Sequence, residues 1–261
     1  MDSRSLLVAD LDGTLLGDDA ALARFAAWHD AAAGDHWLAY ATGRSRASIA
    51  RLAAQTALPE PDIVISMVGT EIHDRDGRPW AGWQERFLGW DASAVRDVLA
   101  GDARLERQPP ATQTALKASY FATGLGPGDV ATICRRLADA GIDATVVHSG
   151  DRFLDVMPAG AGKGAAASMV ARELRVPPDG VLAFGDSGND LSLFREGFRG
   201  TVVANALPEL TAAVGPDAYR SPFRHADGVL DGIRYWSGVA PRARALVASR
   251  SGAVSASCQR K

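Results

Sequence analysis

The sequence predicts an α/β fold built on a largely parallel β-sheet, with a smaller α+β unit inserted into it. Short apolar runs alternate with alanine-rich stretches in which apolar residues recur at helical spacing, which is the pattern of repeated βαβ units. The middle of the chain departs from that pattern, which resumes further on. A chain of 261 residues, 47% of them hydrophobic, is long enough for one large core and a smaller second one.

The main unit is predicted from five apolar runs and the helical stretches between them. The runs, interpreted as strands, are residues 6–9, 37–41, 63–66, 181–184 and 201–203. The helical stretches are residues 20–32, 49–57 and 165–174. Ser45 precedes the second of these and is predicted to cap its N-terminus, because a serine hydroxyl accepts a hydrogen bond from an otherwise unpaired helix N–H.

The inserted unit is predicted over residues 79–155, and the main unit over residues 1–78 and 156–240. The insertion contains two helical stretches and three strand-like runs, separated by turns rich in proline and glycine: residues 92–100, 129–140, 114–121, 144–148 and 153–156. Residues 241–261 are basic and lack apolar periodicity, so we expect a flexible C-terminal tail there.

Composition excludes several classes of function. The net charge of −3 comes without a basic stripe, which argues against nucleic-acid binding. No apolar run is long enough for a membrane helix, and no apolar leader segment is evident. The two cysteines, Cys134 and Cys258, are far apart and fit neither a disulfide scaffold nor a zinc site. We therefore expect a cytoplasmic protein without nucleic-acid or membrane partners; the sequence leaves its oligomeric state open, and a monomer is compatible with it.

The first predicted strand ends in two carboxylates, Asp10 and Asp12, followed by a glycine. Open α/β sheets place their chemistry at this edge, although an acidic turn is an equal alternative for such a pair taken alone. A calcium loop counted from Asp10 fails, because its twelfth position is Ala21 and not a glutamate.

Two further loops carry groups suited to binding an anion. Thr42, Gly43 and Arg44 follow the second predicted strand and enter a helix, where a hydroxyl and backbone N–H groups can hold phosphate oxygens. Lys163 opens an apolar helix, at the end where the helix dipole disfavours a cation. A bound anion accounts for this placement better than a solvated surface lysine does.

The fourth loop follows the strand at residues 181–184 and carries Asp186, Asn189 and Asp190 between glycines. Carboxylates that converge at ~4 Å repel each other by roughly 4 kcal/mol per pair at an effective dielectric of ~20. A divalent cation removes that penalty. Because every candidate ligand is an oxygen, we expect Mg²⁺ and not zinc, held by Asp10, Asp12, Asp186 and Asp190.

Taken together, these four loops resemble the four signature motifs of the haloacid dehalogenase-like (HAD) hydrolase superfamily. The resemblance implies a Rossmann-like core with a C2-type cap in the position of the insertion. A finer similarity, to the sucrose-phosphatase-like branch, implies a phosphatase acting on sucrose 6-phosphate or a similar glycosyl phosphate. This finer similarity is carried by Ala41-Thr42-Gly43-Arg44-Ser45, Val68-Gly69-Thr70-Glu71-Ile72, Leu154-Asp155-Val156-Met157-Pro158 and Val203-Ala204-Asn205-Ala206.

The resemblance also implies roles for individual residues. Asp10 attacks phosphorus and forms an aspartyl-phosphate, and Asp12 exchanges protons with the leaving oxygen and the attacking water. Asp12 must then point its side chain away from the metal and contact it through its carbonyl. Thr42, Gly43 and Lys163 hold the phosphoryl group, and Asn189 either orients Asp186 or contacts the substrate.

Specificity residues in the insertion are less well defined by sequence. Lys117 is predicted either to point into the cleft and bind substrate or to lie on an exposed sheet face. Arg44 binds the sugar or forms a salt bridge, with the sugar favoured. Glu71 is another candidate for sugar hydroxyls, whereas Trp80, Trp83 and Trp90 are expected mainly to pack.

Two other functions fit the same motifs. One is phosphotransfer between sugars by a mutase with the same core. The other is a non-catalytic phospho-accepting domain, which the second carboxylate at Asp12 and the insertion disfavour.

Overall fold

The computed structural model describes residues 4–238 and 256–257. Its strands are β1 Ser5–Ala9, β2 His36–Ala41, β3 Ile63–Ser66, β4 Glu71–Asp74, β5 Leu105–Arg107, β6 Ala118–Ala122, β7 Ala144–Ser149, β8 Phe153–Pro158, β9 Val181–Gly185, β10 Arg199–Val202, β11 Tyr219–Arg220 and β12 Ala256–Ser257. Its α-helices are α1 Asp19–Ala31, α2 Arg46–Ala53, α3 Ala92–Leu99, α4 Pro127–Asp139, α5 Lys163–Glu173, α6 Pro208–Ala213 and α7 His225–Ser237.

Seven strands form the main sheet in the order β11-β10-β9-β1-β2-β3-β4. All neighbours run parallel except β4, which is antiparallel to β3. The chain builds outward from β1 to one side through β2 and β3, and later to the other side through β9 and β10. The boundary between β1 and β9 is therefore the topological switch point, where open α/β sheets form a crevice at the carboxyl ends of their strands.

Both faces of this sheet are covered, as the uninterrupted apolar runs require. Side chains alternate along β1, so Leu6 and Val8 pack against α5 whereas Leu7 and Ala9 pack against α1 and α7. The predicted α/β fold with a mainly parallel sheet is confirmed. Ser45 caps α2 as predicted, its hydroxyl accepting a hydrogen bond from Ser48 N.

The inserted unit has a five-stranded antiparallel sheet in the order β12-β7-β8-β6-β5. Helices α3 and α4 cover one face, to which Ala118, Tyr120, Leu154 and Val156 contribute. Alternation places Lys117, Ser119 and Asp155 on the opposite face. The fold is thus an α/β core with an α+β cap, while the domain limits at residues 78 and 155 stay a prediction.

Several element bounds differ from expectation. The strand predicted from residue 114 starts only at Ala118, because Thr114 and Lys117 pair across a tight turn. Helix α2 covers residues 46–53 instead of 49–57. Strands β4 and β5 were not predicted; they are short and polar, and pairing at a sheet edge defines them.

The predicted flexible tail, residues 241–261, lies outside the described residues apart from β12, which pairs with Thr145 and Val146 of β7. Across residues 4–238 and 256–257, no helix has both the length and the apolarity needed to span a bilayer.

Candidate active site

The four loops predicted to carry the chemistry meet at the carboxyl edge of the main sheet. Asp10 follows β1 and Asp186 follows β9, so the two carboxylates flank the switch point. Gly13 brings their loops together: it has a φ of 85°, and a Cβ there would collide with the Asp186 carboxylate. Only glycine combines this backbone conformation with such close approach.

Three buried carboxylates form the centre of the site. Oxygen atoms of Asp10, Asp186 and Asp190 lie within 4.8 Å of one another. Burial raises the pKa of Asp10 well above its ordinary value against the opposing charge of Lys163, and Asp190 and Asp186 raise it further. Burial and then Asp190 raise the pKa of Asp186 to about 7. Both shifts have the same causes: burial disfavours the ionised carboxylate, and the neighbouring carboxylates disfavour it further.

Lys163 supplies one positive charge at the centre of this cluster. Its ammonium is fully buried and donates to Asp10 Oδ1 at 2.7 Å, Asn189 Oδ1 at 2.6 Å and Asp190 Oδ1 at 2.7 Å. Burial alone would lower the pKa of Lys163, but attraction to Asp10 and Asp190 outweighs it and raises the pKa. All three N–H bonds of Lys163 are thus used, two by the carboxylates of Asp10 and Asp190 and one by the amide oxygen of Asn189.

The donor set fits a hard divalent cation. One positive charge faces three carboxylates among the described residues, and every available ligand atom is an oxygen, the preference of Mg²⁺. The two oxygens of Asp190 already have partners: Oδ1 accepts from Lys163, and Oδ2 accepts from the backbone N–H groups of Asp186 and Ser187 at 3.0 and 3.1 Å. Asp10 and Asp186 are therefore the side chains best placed to contact a cation directly.

Asp12 is not part of the buried cluster. Its carboxylate points outward, is 58% exposed, and is held by Arg44 through two hydrogen bonds, Nε–Oδ2 at 2.7 Å and Nη2–Oδ1 at 2.6 Å. This outward orientation is the one that a proton-transferring Asp12 requires. Of the two alternatives for Arg44, the structure shows the salt bridge; its second role, sugar binding, stays a prediction.

Thr42 and Gly43 lie at the end of β2, next to Arg44. The Thr42 side chain is fully buried, and its hydroxyl accepts a hydrogen bond from Arg44 N at 3.2 Å. Asn189 donates nothing to Asp186; its side-chain oxygen accepts from Lys163 instead. Asn189 lies in the short helix at residues 188–190, and both of its predicted roles, orienting Asp186 and contacting the substrate, stay predictions.

A strained segment that sequence reasoning missed supports these loops. Met67 and Val68 have φ values of 53° and 61°, which are rare for branched or bulky residues. Their N–H groups donate to the carbonyls of Arg44 and Thr42 at 3.1 and 2.9 Å. The strained turn thus holds the loop that carries Thr42 and Arg44; the sequence marks Val68 as part of a motif but not as strained.

Asn205 is a second residue whose role the sequence did not reveal. Its side-chain nitrogen donates to the Gly13 carbonyl at 2.7 Å, and its oxygen accepts from His225 N at 2.9 Å. The loop of Asp12 is therefore fixed from the far side of the crevice. The sequence analysis included Asn205 in a motif, but it could not identify Gly13 as the partner of Asn205, because the two residues are 192 positions apart.

In the cap, Lys117 is buried, so the alternative of an exposed sheet face is wrong. Its ammonium donates to Asp155 Oδ1 at 2.9 Å, and Ser119 donates to the same oxygen at 2.5 Å. These three polar residues form a compact group on the face of the cap sheet opposite its helices. Two contributing reasons for burial are that Lys117 follows a tight turn and that its charge is paired.

The other candidates make contacts within the fold, and sugar binding by Glu71 stays a prediction. Trp83 is fully buried and donates from Nε1 to the Gly69 carbonyl at 3.1 Å, so packing is confirmed for it. Trp90 donates to the Asp143 carbonyl at 3.0 Å. Glu71 accepts from the Ser66 hydroxyl at 3.1 Å, which ties it to β3.

Comparison with known proteins adds the family. The family model described as Sucrose-6F-phosphate phosphohydrolase matches residues 3–237. The mannosylfructose-phosphate phosphatase of Agrobacterium fabrum is 36% identical over 244 residues, which cover 91% of this chain and 98% of that protein. Sucrose-phosphatase 1 of Nicotiana tabacum is 32% identical over 254 residues, and the match spans 60% of its length.

A solved structure shows the same similarity in three dimensions. The sucrose-phosphatase of Synechocystis sp. PCC6803, determined with sucrose and phosphate, superimposes with a TM-score of 0.86 at 32% identity, over 91% of this chain and 99% of the other. Solved HAD hydrolases share the fold, one of them with a TM-score of 0.67 at 16% identity. With the fold, the acidic cluster and the family model in agreement, the chain belongs to the sucrose-6F-phosphate phosphohydrolase family and is a phosphoric monoester hydrolase.

Proposed function

We propose that the enzyme is a Mg²⁺-dependent phosphatase that hydrolyses sucrose 6-phosphate or a similar disaccharide phosphate through an aspartyl-phosphate on Asp10. One observation carries the proposal: Asp10, Asp186, Asp190 and Lys163 form one buried cluster, with the outward-facing Asp12 two residues from Asp10. A cytoplasmic location belongs to the same proposal.

Mg²⁺ would be held by the carboxylates of Asp10 and Asp186 and the backbone carbonyl of Asp12, with Asp190 acting through water. When bound, the ion would neutralise phosphoryl charge and reduce the repulsion between the acids. Lys163 would share its hydrogen bonds with a phosphoryl oxygen, and the Thr42 hydroxyl and Gly43 N–H would bind the others. Such fixed donors stabilise a transition state whose charge is spread over equatorial oxygens.

In the first half-reaction, a carboxylate oxygen of Asp10 forms a bond to phosphorus while the bond from phosphorus to the sugar oxygen breaks. Asp12 gives its proton to the departing sugar oxygen. In the second half-reaction, Asp12 takes a proton from water, the water oxygen bonds to phosphorus, and the Asp10–phosphorus bond breaks. The products are the free sugar and inorganic phosphate, and both aspartates return to their starting state.

The Arg44–Asp12 pair sets a condition on this cycle. The Arg44 guanidinium donates to both carboxylate oxygens of Asp12, so it competes with the sugar oxygen for the same two atoms. For Asp12 to act as an acid, at least one of these hydrogen bonds must be released when the substrate enters. Arg44 is then free to contact the sugar. Its two predicted roles, the salt bridge and sugar binding, thus belong to different stages of one cycle.

The choice of a disaccharide phosphate rests on the relatives and on the cap. The relatives' names specify phosphatases of sucrose phosphate and mannosylfructose phosphate. On the cap sheet, the buried Lys117, Ser119 and Asp155 group offers the mixed donors and acceptors that sugar hydroxyls need. We propose that this group binds the sugar farther from the phosphate.

The decisive experiment is phosphate release from a panel of glycosyl phosphates by wild type and Asp10→Asn. We expect Mg²⁺-dependent turnover by wild type, loss of turnover by at least ~10³-fold in the variant, and an unchanged circular dichroism spectrum. Acid-quenched wild type incubated with labelled substrate should carry label on Asp10. Near-normal activity in Asp10→Asn would refute the nucleophile, and conversion to an isomeric sugar phosphate would identify a mutase instead.

A further inference from the structure

Glu209, on α6, connects the cap to the loop that carries Asp186, Asn189 and Asp190. Its Oε1 atom accepts a hydrogen bond from Gly150 N at 2.7 Å and another from Gly188 N at 3.2 Å. Gly150 belongs to the turn between β7 and β8 of the cap sheet. Gly188 belongs to the core loop after β9. One carboxylate oxygen therefore joins two units of the protein at their contact.

The cap turn that reaches Glu209 is tight. Gly150 and Asp151 have φ values of 62° and 47°, and Arg152 N donates to the Ser149 carbonyl at 3.3 Å, which closes a β-turn within the three-residue connection between Ser149 and Phe153. This conformation directs the Gly150 N–H toward Glu209. Because the turn directly connects β7 and β8, Glu209 contacts the end of the cap sheet.

On the core side of this contact, Gly188 lies close to both the cap strand β7 and Glu209. A Cβ on Gly188 would lie 3.1 Å from the His148 carbonyl oxygen of β7 and 3.2 Å from Glu209 Oε1. Glycine at position 188 thus permits the cap strand to rest directly on the loop. Two residues before Glu209, Leu207 N donates to the Asp186 carbonyl at 2.7 Å. The start of α6 is therefore attached to the backbone of a proposed metal ligand.

We propose that Glu209 is a positioning residue that holds the cap in its docked position over the acidic loop, so that the sugar-binding face of the cap stays in register with Asp10. The inference rests on the proposed function, because it assigns the cap to the sugar. Glu209 touches neither the phosphate nor the acidic cluster directly. Loss of the Glu209 carboxylate therefore slows hydrolysis of substrates that bind to the cap and leaves hydrolysis of other phosphate esters unchanged.

The test compares two substrates in Glu209→Ala and Glu209→Gln. Sucrose 6-phosphate, or the glycosyl phosphate that wild type hydrolyses best, requires the cap, whereas p-nitrophenyl phosphate has no sugar to bind. In Glu209→Ala we expect kcat/KM for the glycosyl phosphate to fall about tenfold, mainly through KM, because two hydrogen bonds to a charged group are lost. For p-nitrophenyl phosphate we expect a change within about twofold. Glu209→Gln should retain most activity, since its amide oxygen can still accept both bonds.

A structural readout accompanies the kinetics. Amide exchange at residues 149–152 should become faster in Glu209→Ala and stay near the wild-type rate in Glu209→Gln. Glu173→Ala, which removes an exposed carboxylate on α5, is the matched control and should leave both readouts unchanged.

Two results would overturn the inference: equal loss of activity toward both substrates, or unchanged kinetics and amide exchange in Glu209→Ala. Failure of the proposed function is distinguishable from either. If wild type hydrolyses p-nitrophenyl phosphate but no glycosyl phosphate, the substrate proposal is wrong, and amide exchange at residues 149–152 alone decides the role of Glu209.

Discussion

Arg44 holds the carboxylate of Asp12 in a two-pronged ion pair, with N–O distances of 2.7 and 2.6 Å, at the mouth of the acidic cluster. The pair keeps the Asp12 side chain away from the three buried carboxylates, to which an unrestrained Asp12 would add a fourth negative charge. In the proposed cycle, the pair holds Asp12 outward until the substrate enters.

Replacing Arg44 therefore affects the chemistry of the site more than its stability. We expect Arg44→Ala to lower kcat for phosphate release by about 10- to 100-fold, the range typical of a misplaced proton donor. Arg44→Lys should recover only part of this loss, because an ammonium cannot form the two parallel bonds. Steady-state kinetics with saturating Mg²⁺ test both variants; a kcat for Arg44→Ala within twofold of wild type would contradict this role.

Asp186 illustrates the cost of assembling the cluster without a cation. Burial and Asp190 raise its pKa to about 7, so above that pH Asp186 is ionised, and its buried charge destabilises the fold when no cation is bound. We expect Asp186→Asn to stabilise the protein in excess EDTA at pH 8 by about 1 kcal/mol, while abolishing the rise in Tm that millimolar Mg²⁺ gives wild type. Thermal unfolding with and without Mg²⁺ measures both effects. Asp139→Asn, at the exposed end of α4, is the control; a normal Mg²⁺ response in Asp186→Asn would refute its role as a ligand.

Lys163 is expected to be structural as well as catalytic. Lys163→Met leaves Asp10 and Asp190 buried without their cation, and breaking a buried pair in this way costs about 3–5 kcal/mol. We expect a lower Tm that Mg²⁺ partly restores, together with loss of phosphatase activity. Arg172→Met, on the exposed face of the same helix, should change neither. An unchanged Tm in Lys163→Met would contradict the prediction that Lys163 stabilises the fold by pairing with Asp10 and Asp190.

Variants of Lys117 and Asp155 test the proposed sugar site on the cap. Lys117→Met should reduce kcat/KM for a disaccharide phosphate by about 100-fold, since an unmade hydrogen bond to a charged group costs ~1.5–3 kcal/mol. Hydrolysis of p-nitrophenyl phosphate should change by less than about threefold. Because the two residues form one ion pair, the double variant Lys117→Met/Asp155→Asn should lose less than the sum of the single losses. Parallel loss with both substrates would place Lys117 outside the sugar site.

His36 gives a pH-dependent contribution to stability away from the active site. Burial, and then the neighbouring His29, lower its pKa to about 4. In the unfolded chain its pKa is about 6.5, so between these two values the unfolded state binds a proton that the folded state does not. Stability therefore falls as pH falls from 6.5 toward 4. Over this interval we expect the free energy of unfolding of His36→Gln to fall by about 1 kcal/mol less than that of wild type. The corresponding difference in Tm is ~2–4 °C. Equal losses in the two proteins would exclude this cause.

The sequence predicted the strands of the main sheet well because each is an apolar run bounded by polar loops. Asp10 and Asp186 could be placed at the same edge for this reason, since parallel strands align their carboxyl ends. Strands β4 and β5 escaped prediction because Glu71–Asp74 and Leu105–Arg107 have no apolar pattern, and only hydrogen bonding to a neighbour makes them strands.

Side-chain partners were much less predictable. The motifs indicated that Lys163 belongs with Asp10, but nothing local pairs Lys163 with Asn189, Lys117 with Asp155, or Asn205 with Gly13. These contacts join residues 26, 38 and 192 positions apart. They depend on distances and angles between packed elements, which residue types and spacing do not specify.

By itself, then, the sequence determined which residue types stand at the strand ends, and with them the acidic, magnesium-compatible character of the site. Tertiary structure alone decided which oxygen each cation contacts, that Asp12 turns outward to Arg44, and that Glu209 links the cap to the acidic loop. The reason is physical: local hydrophobic pattern fixes where strands and helices begin and end, whereas hydrogen bonds of defined length form only after those elements have packed.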